Sequence, residues 1–201
     1  MCAQRFKLLS SCALLILFIG LNGCGGGGAN AAKQSDEKAV ELVKNFITAY
    51  KSADTDWFMQ NMVVLDQKSG VTGFRALLDF EAKALLTSRS SPMAQWSSFI
   101  TPKSVLRSEA YLPTWKQSLA TEMNEGQINS FVEFTLASFE ESERKRLEEA
   151  SLVILEVEHD GESTLIAAIV TSDHSIMMPL PGYVFATYPG LDLCGANNEA
   201  C

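Results

Sequence analysis

Apolar residues fall at helical spacing over Asp36 to Ser52, where Val40, Val43, Phe46, Ile47 and Tyr50 share one face. Asp36 and Glu37 suit the positive end of that helix dipole. Ala53-Asp54 ends the helix, and Thr55 is placed to cap a second one carrying Trp57, Phe58 and Met62. Ser69 to Gly73 is a turn or loop. Phe74 to Leu86, with Leu77, Leu78, Ala84 and Leu85, predicts a third helix. Ser88 to Ser98 is loop-like and contains Pro92. Pro102 and Pro113 suit first turns and predict short helices near 103–110 and 114–124. From Gln127 to Ala150 one stripe (Ile128, Phe131, Val132, Thr135, Leu136, Phe139, Leu147 and Ala150) favours a single long helix. Phe131 to Ala137 also fits a strand.

The pattern then changes. Leu152 to Glu158 and Ser163 to Thr171 are rich in Val, Ile and Leu, separated by His159-Asp160-Gly161-Glu162. Asp-Gly suits a two-residue type I′ turn, whose central positions need positive φ, so a β-hairpin is expected. The second strand is apolar on both faces (Leu165, Ala167 and Ile169 against Ile166, Ala168 and Val170). It should therefore be covered on both sides, with helices on at least one. Ile176 to Met178 and Tyr183 to Tyr188 predict two more strands around the Pro179–Gly182 loop. The expected class is α+β, with a helical N-terminal two-thirds packed on a small C-terminal antiparallel sheet. The expected domain spans 36–190, followed by a tail over 191–201.

The first 23 residues have a different character. Arg5 and Lys7 precede the apolar run Cys12 to Leu21, which is ten residues long. That is too short to cross a bilayer core of ~30 Å as a helix, and it suits a signal peptide. Leu21-Asn22-Gly23-Cys24 resembles the lipobox of bacterial lipoproteins, although Asn22 departs from the small or hydroxyl residue usual there. The resemblance implies cleavage before Cys24 and a diacylglyceryl group on its sulfur. Gly25 stands where an aspartate would imply inner-membrane retention, so the outer membrane is favoured if the cell has one. Gly25 to Gly28 and Ala29-Asn30-Ala31-Ala32 make residues 24–35 a tether. No Gly-Lys-Ser/Thr ends it, so it is no phosphate loop. The implied location is the bacterial cell envelope. The implied partners are the membrane, reached through the lipid, and an envelope protein or small ligand.

Charge supports that division of labour. The formal net charge of −8 becomes −10 once 1–23 are removed with their two cations and no anions. An acidic chain is poorly suited to nucleic acid, which rewards cations, and to direct docking on anionic headgroups. Of five cysteines, Cys2 and Cys12 leave with the leader and Cys24 takes the lipid. Cys194 and Cys201 remain, and an oxidising compartment would join them. Closing so short a loop is worth about 2.5 kcal/mol in the chain-entropy picture. Their spacing matches neither C-x-x-C nor a zinc pattern.

Val43 to Phe58 (VKNFITAYKSADTDWF) resembles the opening of NTF2-like domains of the cystatin-like or SnoaL type. That resemblance covers some 20 residues. It implies helices lying in the concave face of a curved antiparallel sheet, often around a ligand pocket. It also makes Tyr50, Asp54 and Trp57 the residues to expect at the mouth of such a pocket. The long helical middle, 73–150, departs from the family pattern.

Catalytic signatures are missing from the sequence. There is no H-E-x-x-H, G-x-S-x-G, dinucleotide glycine motif or EF-hand loop. His159 suits a surface position beside the turn. Ser172-Asp173-His174-Ser175 has triad residue types, but adjacent positions cannot reach opposite sides of one imidazole. Glu140, Glu141, Glu143, Glu148 and Glu149 alternate with Arg144, Lys145 and Arg146, which suits a solvated, internally paired helix face. Met177-Met178 is a weak candidate for copper or a partner surface. No cofactor, metal or catalytic residue is assigned. The expected function is a non-catalytic binding module, with an NTF2-like small-molecule binder or acid/base enzyme as the alternative.

Overall fold

The computed structural model describes residues 36–88, 93–94, 97, 99–159, 161–179, 183–188 and 191. The leader, Cys24, the tether, Cys194, Cys201, Asp160 and the 180–182 part of the Pro179–Gly182 loop lie outside the described residues. The fold is α+β: among the described residues, six α-helices with full bounds and a curled, mixed sheet. The helices are α1 (Glu37–Ser52), α2 (Thr55–Asn61), α3 (Asp79–Thr87), α4 (Tyr111–Leu119), α5 (Glu125–Ala137) and α6 (Glu141–Glu148). The strands are β1 (Met62–Lys68), β2 (Val71–Ala76), β3 (Val105–Ala110), β4 (Ser151–His159), β5 (Glu162–Val170), β6 (Ile176–Met178) and β7 (Phe185–Ala186).

The sheet order is β2-β1-β6-β5-β4-β3, and β7 continues the row of β6 along β5. All pairs are antiparallel except β1 with β6. The sheet is thus larger than the sequence pattern suggested, and mixed, because β1, β2 and β3 come from the N-terminal part of the chain.

Four helix expectations change. Met62 leaves the second helix to open β1, whose Met-Val-Val-Leu run suits a pleated, half-buried surface. Phe74 to Ala76 belongs to β2, and α3 starts only at Asp79. The segment 103–110 is a 3₁₀ turn at Pro102–Ser104 followed by β3. The long helix over 127–150 is two helices, broken at 138–140, where Thr72 N donates to Ser138 O (2.7 Å) and Glu140 N donates to Thr72 O (3.1 Å). The edge of β2 takes hydrogen bonds that a continuous helix would have kept. An Asn124–Gln127 capping box starts α5 two residues before the expected point. At the other end, Tyr183 to Tyr188 contributes only the two-residue β7.

The β4–β5 hairpin forms as its sequence demands. His159 pairs with Glu162, leaving a two-residue loop, and Gly161 has φ +79°. Strand alternation then sorts the core into two layers. Val153, Leu155, Val157, Ile166, Ala168 and Val170 pack with α1, α2 and α3. Leu152, Ile154, Leu165, Ala167 and Ile169 pack with α4, α5 and α6. Helices therefore cover both faces, as the two-sided apolar pattern of β5 requires. From α1, the fully buried Val43 and Phe46 and nearly buried Ile47 each contribute roughly 1.5–3 kcal/mol of apolar burial.

Candidate functional site

The α1–α2 corner brings together the three residues expected at a pocket mouth. Ala53 ends α1 in the left-handed region (φ 54°), and the turn is closed by Asp54 N donating to Ala49 O at 3.0 Å. That reversal points the Asp54 carboxylate at the start of α2, where Oδ1 accepts from Trp57 N at 3.0 Å. Asp54 is exposed. Tyr50 and Trp57 are half-buried and lie over Phe46, with ring centroids 6.5 and 6.1 Å away. Phe58 and Phe185 reach the same Phe46 ring at 5.3 and 5.7 Å. At this corner aromatic side chains from α1, α2 and β7 pack together around Phe46.

A second polar group lies where the described chain begins. Asp36 N donates to Ser108 Oγ (2.5 Å), Asp36 Oδ1 accepts from Ala39 N (3.0 Å), and Oδ2 accepts from Ser151 Oγ (2.9 Å). His174 Nε2 stands 3.5 Å from Asp36 Oδ1. Burial works to raise the Asp36 pKa. The Ala39 amide, the Ser151 hydroxyl and the His174 imidazole outweigh it and hold the carboxyl below its usual range. Serine, aspartate and histidine therefore meet, but with the carboxylate in the middle. A nucleophilic triad needs the imidazole between the other two. The arrangement fastens the N-terminus of α1 to β3, β4 and the β5–β6 turn.

That turn is itself tightly made. His174 has φ 60°, His174 N donates to Thr171 O (2.8 Å), and Thr171 Oγ1 donates to Asp173 Oδ1 (2.5 Å). Asp173 Oδ2 accepts from Arg146 Nη2 (2.7 Å), and the same guanidinium reaches Glu143 (2.5 Å) and lies 5.1 Å from the Phe74 ring centre. Burial raises the Asp173 pKa. The Thr171 hydroxyl and the Arg146 guanidinium more than compensate and lower it overall. The triad-like run 172–175 is a loop that clips β5 to α6.

A half-open hollow of about 370 Å³ lies at the other end of the sheet, lined by Phe99, Thr101, Lys103, Ser104, Glu156, Glu158 and Ser163. Ser163 Oγ donates to Glu156 Oε1 there, at 2.6 Å. Lys51 Nζ ties the end of α1 to the same segment through Ile100 O (3.1 Å). The hollow offers an ammonium, two carboxylates and three hydroxyls to a polar small molecule. Sequence reading missed it because Thr101–Ser104 and Glu156–Ser163 meet only through the β3–β4 pairing.

The remaining candidates resolve locally. In the acidic run over 140–149, Glu143 pairs with Arg146, Glu148 with Arg144 at 2.7 Å and Glu149 with Lys145 at 3.9 Å. Met177 and Met178 are buried on opposite faces of the sheet, which takes them off any surface. Among the described residues, no three His, Cys, Asp or Glu gather as a metal site, and no helix is long and apolar enough to cross a membrane. No protein-family model, no curated protein and no solved structure matches this chain.

Proposed function

We propose that this is an exported bacterial lipoprotein, held at the cell envelope by a diacylglyceryl group on Cys24, whose domain is a non-catalytic binding module. The lipobox-like Leu21–Cys24, the short apolar run before it and the glycine tether after it support the address. The observation that carries the module reading is the aromatic packing at the α1–α2 corner. Phe58 and Phe185 pack on Phe46 beneath the corner, and the carboxylate of Asp54 caps α2. The deciding experiment is the intact mass of membrane-extracted protein beside a Cys24→Ser variant. A chain beginning at Cys24 with added acyl mass, lost in the variant, is expected. An unmodified, released chain would sink the anchor.

The alternative is an NTF2-like small-molecule binder or acid/base enzyme. It is supported by α1, α2 and α3 lying on one face of a curled sheet and by the hollow around Lys103, Glu156 and Glu158. Against it stand the helices on the opposite face and the parallel β1–β6 pair.

A further inference from the structure

Among the described residues the two most exposed apolar side chains, Phe134 and Phe80, lie at opposite ends of the domain. One row of the sheet runs Ala76, Val63, Met177, Ile169, Leu152 and Glu109. Leu78 and Phe80 lie just past the β2 end of that row, at the start of α3, 49% and 66% exposed. Asp36 lies at the other side of the same end, bonded to Ser151 and Ser108. The tether therefore enters the domain at the end that carries Leu78 and Phe80. Phe134 (70% exposed) is one turn from the C-terminus of α5, which reaches Thr72 beside the β1–β2 turn, at the opposite end.

Chain length decides which end meets the membrane. Asp36 lies twelve positions after Cys24. A glycine-rich segment of that length has an r.m.s. reach of about 20 Å. The nine-residue strands β4 and β5 are about 30 Å long. The Asp36 end is thus the end kept near the lipid, and Phe80 lies roughly four strand spacings, about 19 Å, across it.

The charges around Phe80 are already compensated. Asp79 is paired with Lys83 at 2.7 Å. Glu81 takes both Nη1 and Nη2 of Arg75, at 2.7 and 2.6 Å. Neither neighbouring carboxylate is left as a bare anion facing headgroups.

Resting on the lipid-anchor reading above, we propose that the Leu78–Phe80 tip of α3 docks into the surface of the bilayer that holds Cys24. It gives the tethered domain one orientation, with the hollow and Phe134 turned away from the lipid. The contact is apolar, because the chain past residue 23 carries a net charge of −10, which is poorly suited to anionic headgroups.

The test uses the full chain, purified from bacterial membranes and reconstituted in vesicles of phosphatidylethanolamine and phosphatidylglycerol. A photo-crosslinking phenylalanine analogue replaces either Phe80 or Phe134, and intact mass reports acylation in each sample. Position 80 is expected to give phospholipid adducts several-fold above position 134, unchanged by high salt. If an acylated chain gives equal adducts at both positions, or adducts at 80 only to protein, the docking is overturned and the anchor stands. A chain without acyl mass overturns both.

Discussion

Two hairpins of the sheet, β1–β2 and β4–β5, close through loops of equal length and are held in different ways. Lys68 pairs with Val71 and His159 with Glu162, so each loop has two residues. Gly70 and Gly161 occupy the second loop position with φ +84° and +79°, and Ser69 (φ +53°) completes the two positive φ values of a type I′ turn in the first loop. From there they diverge. Strands β4 and β5 pair over nine residues, and Leu152 to Leu155 with Leu165 to Val170 bury both faces in the two core layers. Strand β2 keeps an exposed or half-buried side chain at every position. It is held from outside: Thr72 by the 138–140 turn, Phe74 by the Arg146 guanidinium, Arg75 by Glu81. A turn of given chemistry sets register in both, while side-chain burial decides which hairpin supports the fold.

The sharpest way to break that contrast is to remove equal bulk from each. Ile166 is 1% exposed, and Ile166→Ala should cost about 2–5 kcal/mol through lost burial and a residual cavity. Leu65 of β1 is only half-buried, and Leu65→Ala should cost about 1 kcal/mol. Urea unfolding of the two variants gives the comparison. Equal losses would mean that β1–β2 belongs to the core as fully as β4–β5.

The same difference explains what the sequence made visible. Strand β5 alternates between two apolar faces and follows an Asp-Gly turn, so burial and turn chemistry agree. In β1 the apolar run Met62 to Leu65 follows directly on α2, and nothing in a helical window separates them. Phe74 of β2 and Leu77 just after it fall at a spacing that also suits a helix, and the Ser69-Gly70 turn lacks the Asn or Asp that marks a type I′ loop. The α1–α2 corner was legible because Ala53-Asp54 ends one helix just before another begins, which brought Tyr50, Asp54 and Trp57 into one place; the cap itself is Asp54 and not the expected Thr55, which is the first residue of α2. The group around Asp36 was not. Asp36 and His174 are brought together only by the sheet order, and His174 reads locally as a polar loop residue.

Acid should act on the outer support of β2 before it touches the β4–β5 core. Arg75 is the chief cause that holds the Glu81 pKa down to about 2, against the opposing effect of burial and with help from the Leu78 amide. A depressed carboxylate contributes stability that is complete above its unfolded-state pKa near 4.5 and is lost as pH falls toward 2. Because the side chains of Arg75 and Glu81 are 33% and 23% exposed, solvent screening leaves about 1 kcal/mol. The stability gap between wild type and Glu81→Gln should therefore be constant from neutral pH to about 5 and close below about 4. A gap that persists unchanged at pH 3 would show that the carboxylate's charge is not what holds Arg75.

The smallest test concerns the turn itself. Ser69 has φ +53°, a conformation in which a serine carries left-handed strain that asparagine tolerates better. Ser69→Asn gives the β1–β2 loop the sequence that type I′ turns favour, without touching either strand. It should stabilise the domain by about 0.5 kcal/mol, which is roughly 1–2 °C in Tm. Scanning calorimetry reads the shift. A gain means that the turn is a limiting element of this hairpin and that its register depends on residues 69 and 70. No gain means that Thr72, Phe74 and Arg75 already fix the register from outside, and the turn merely follows.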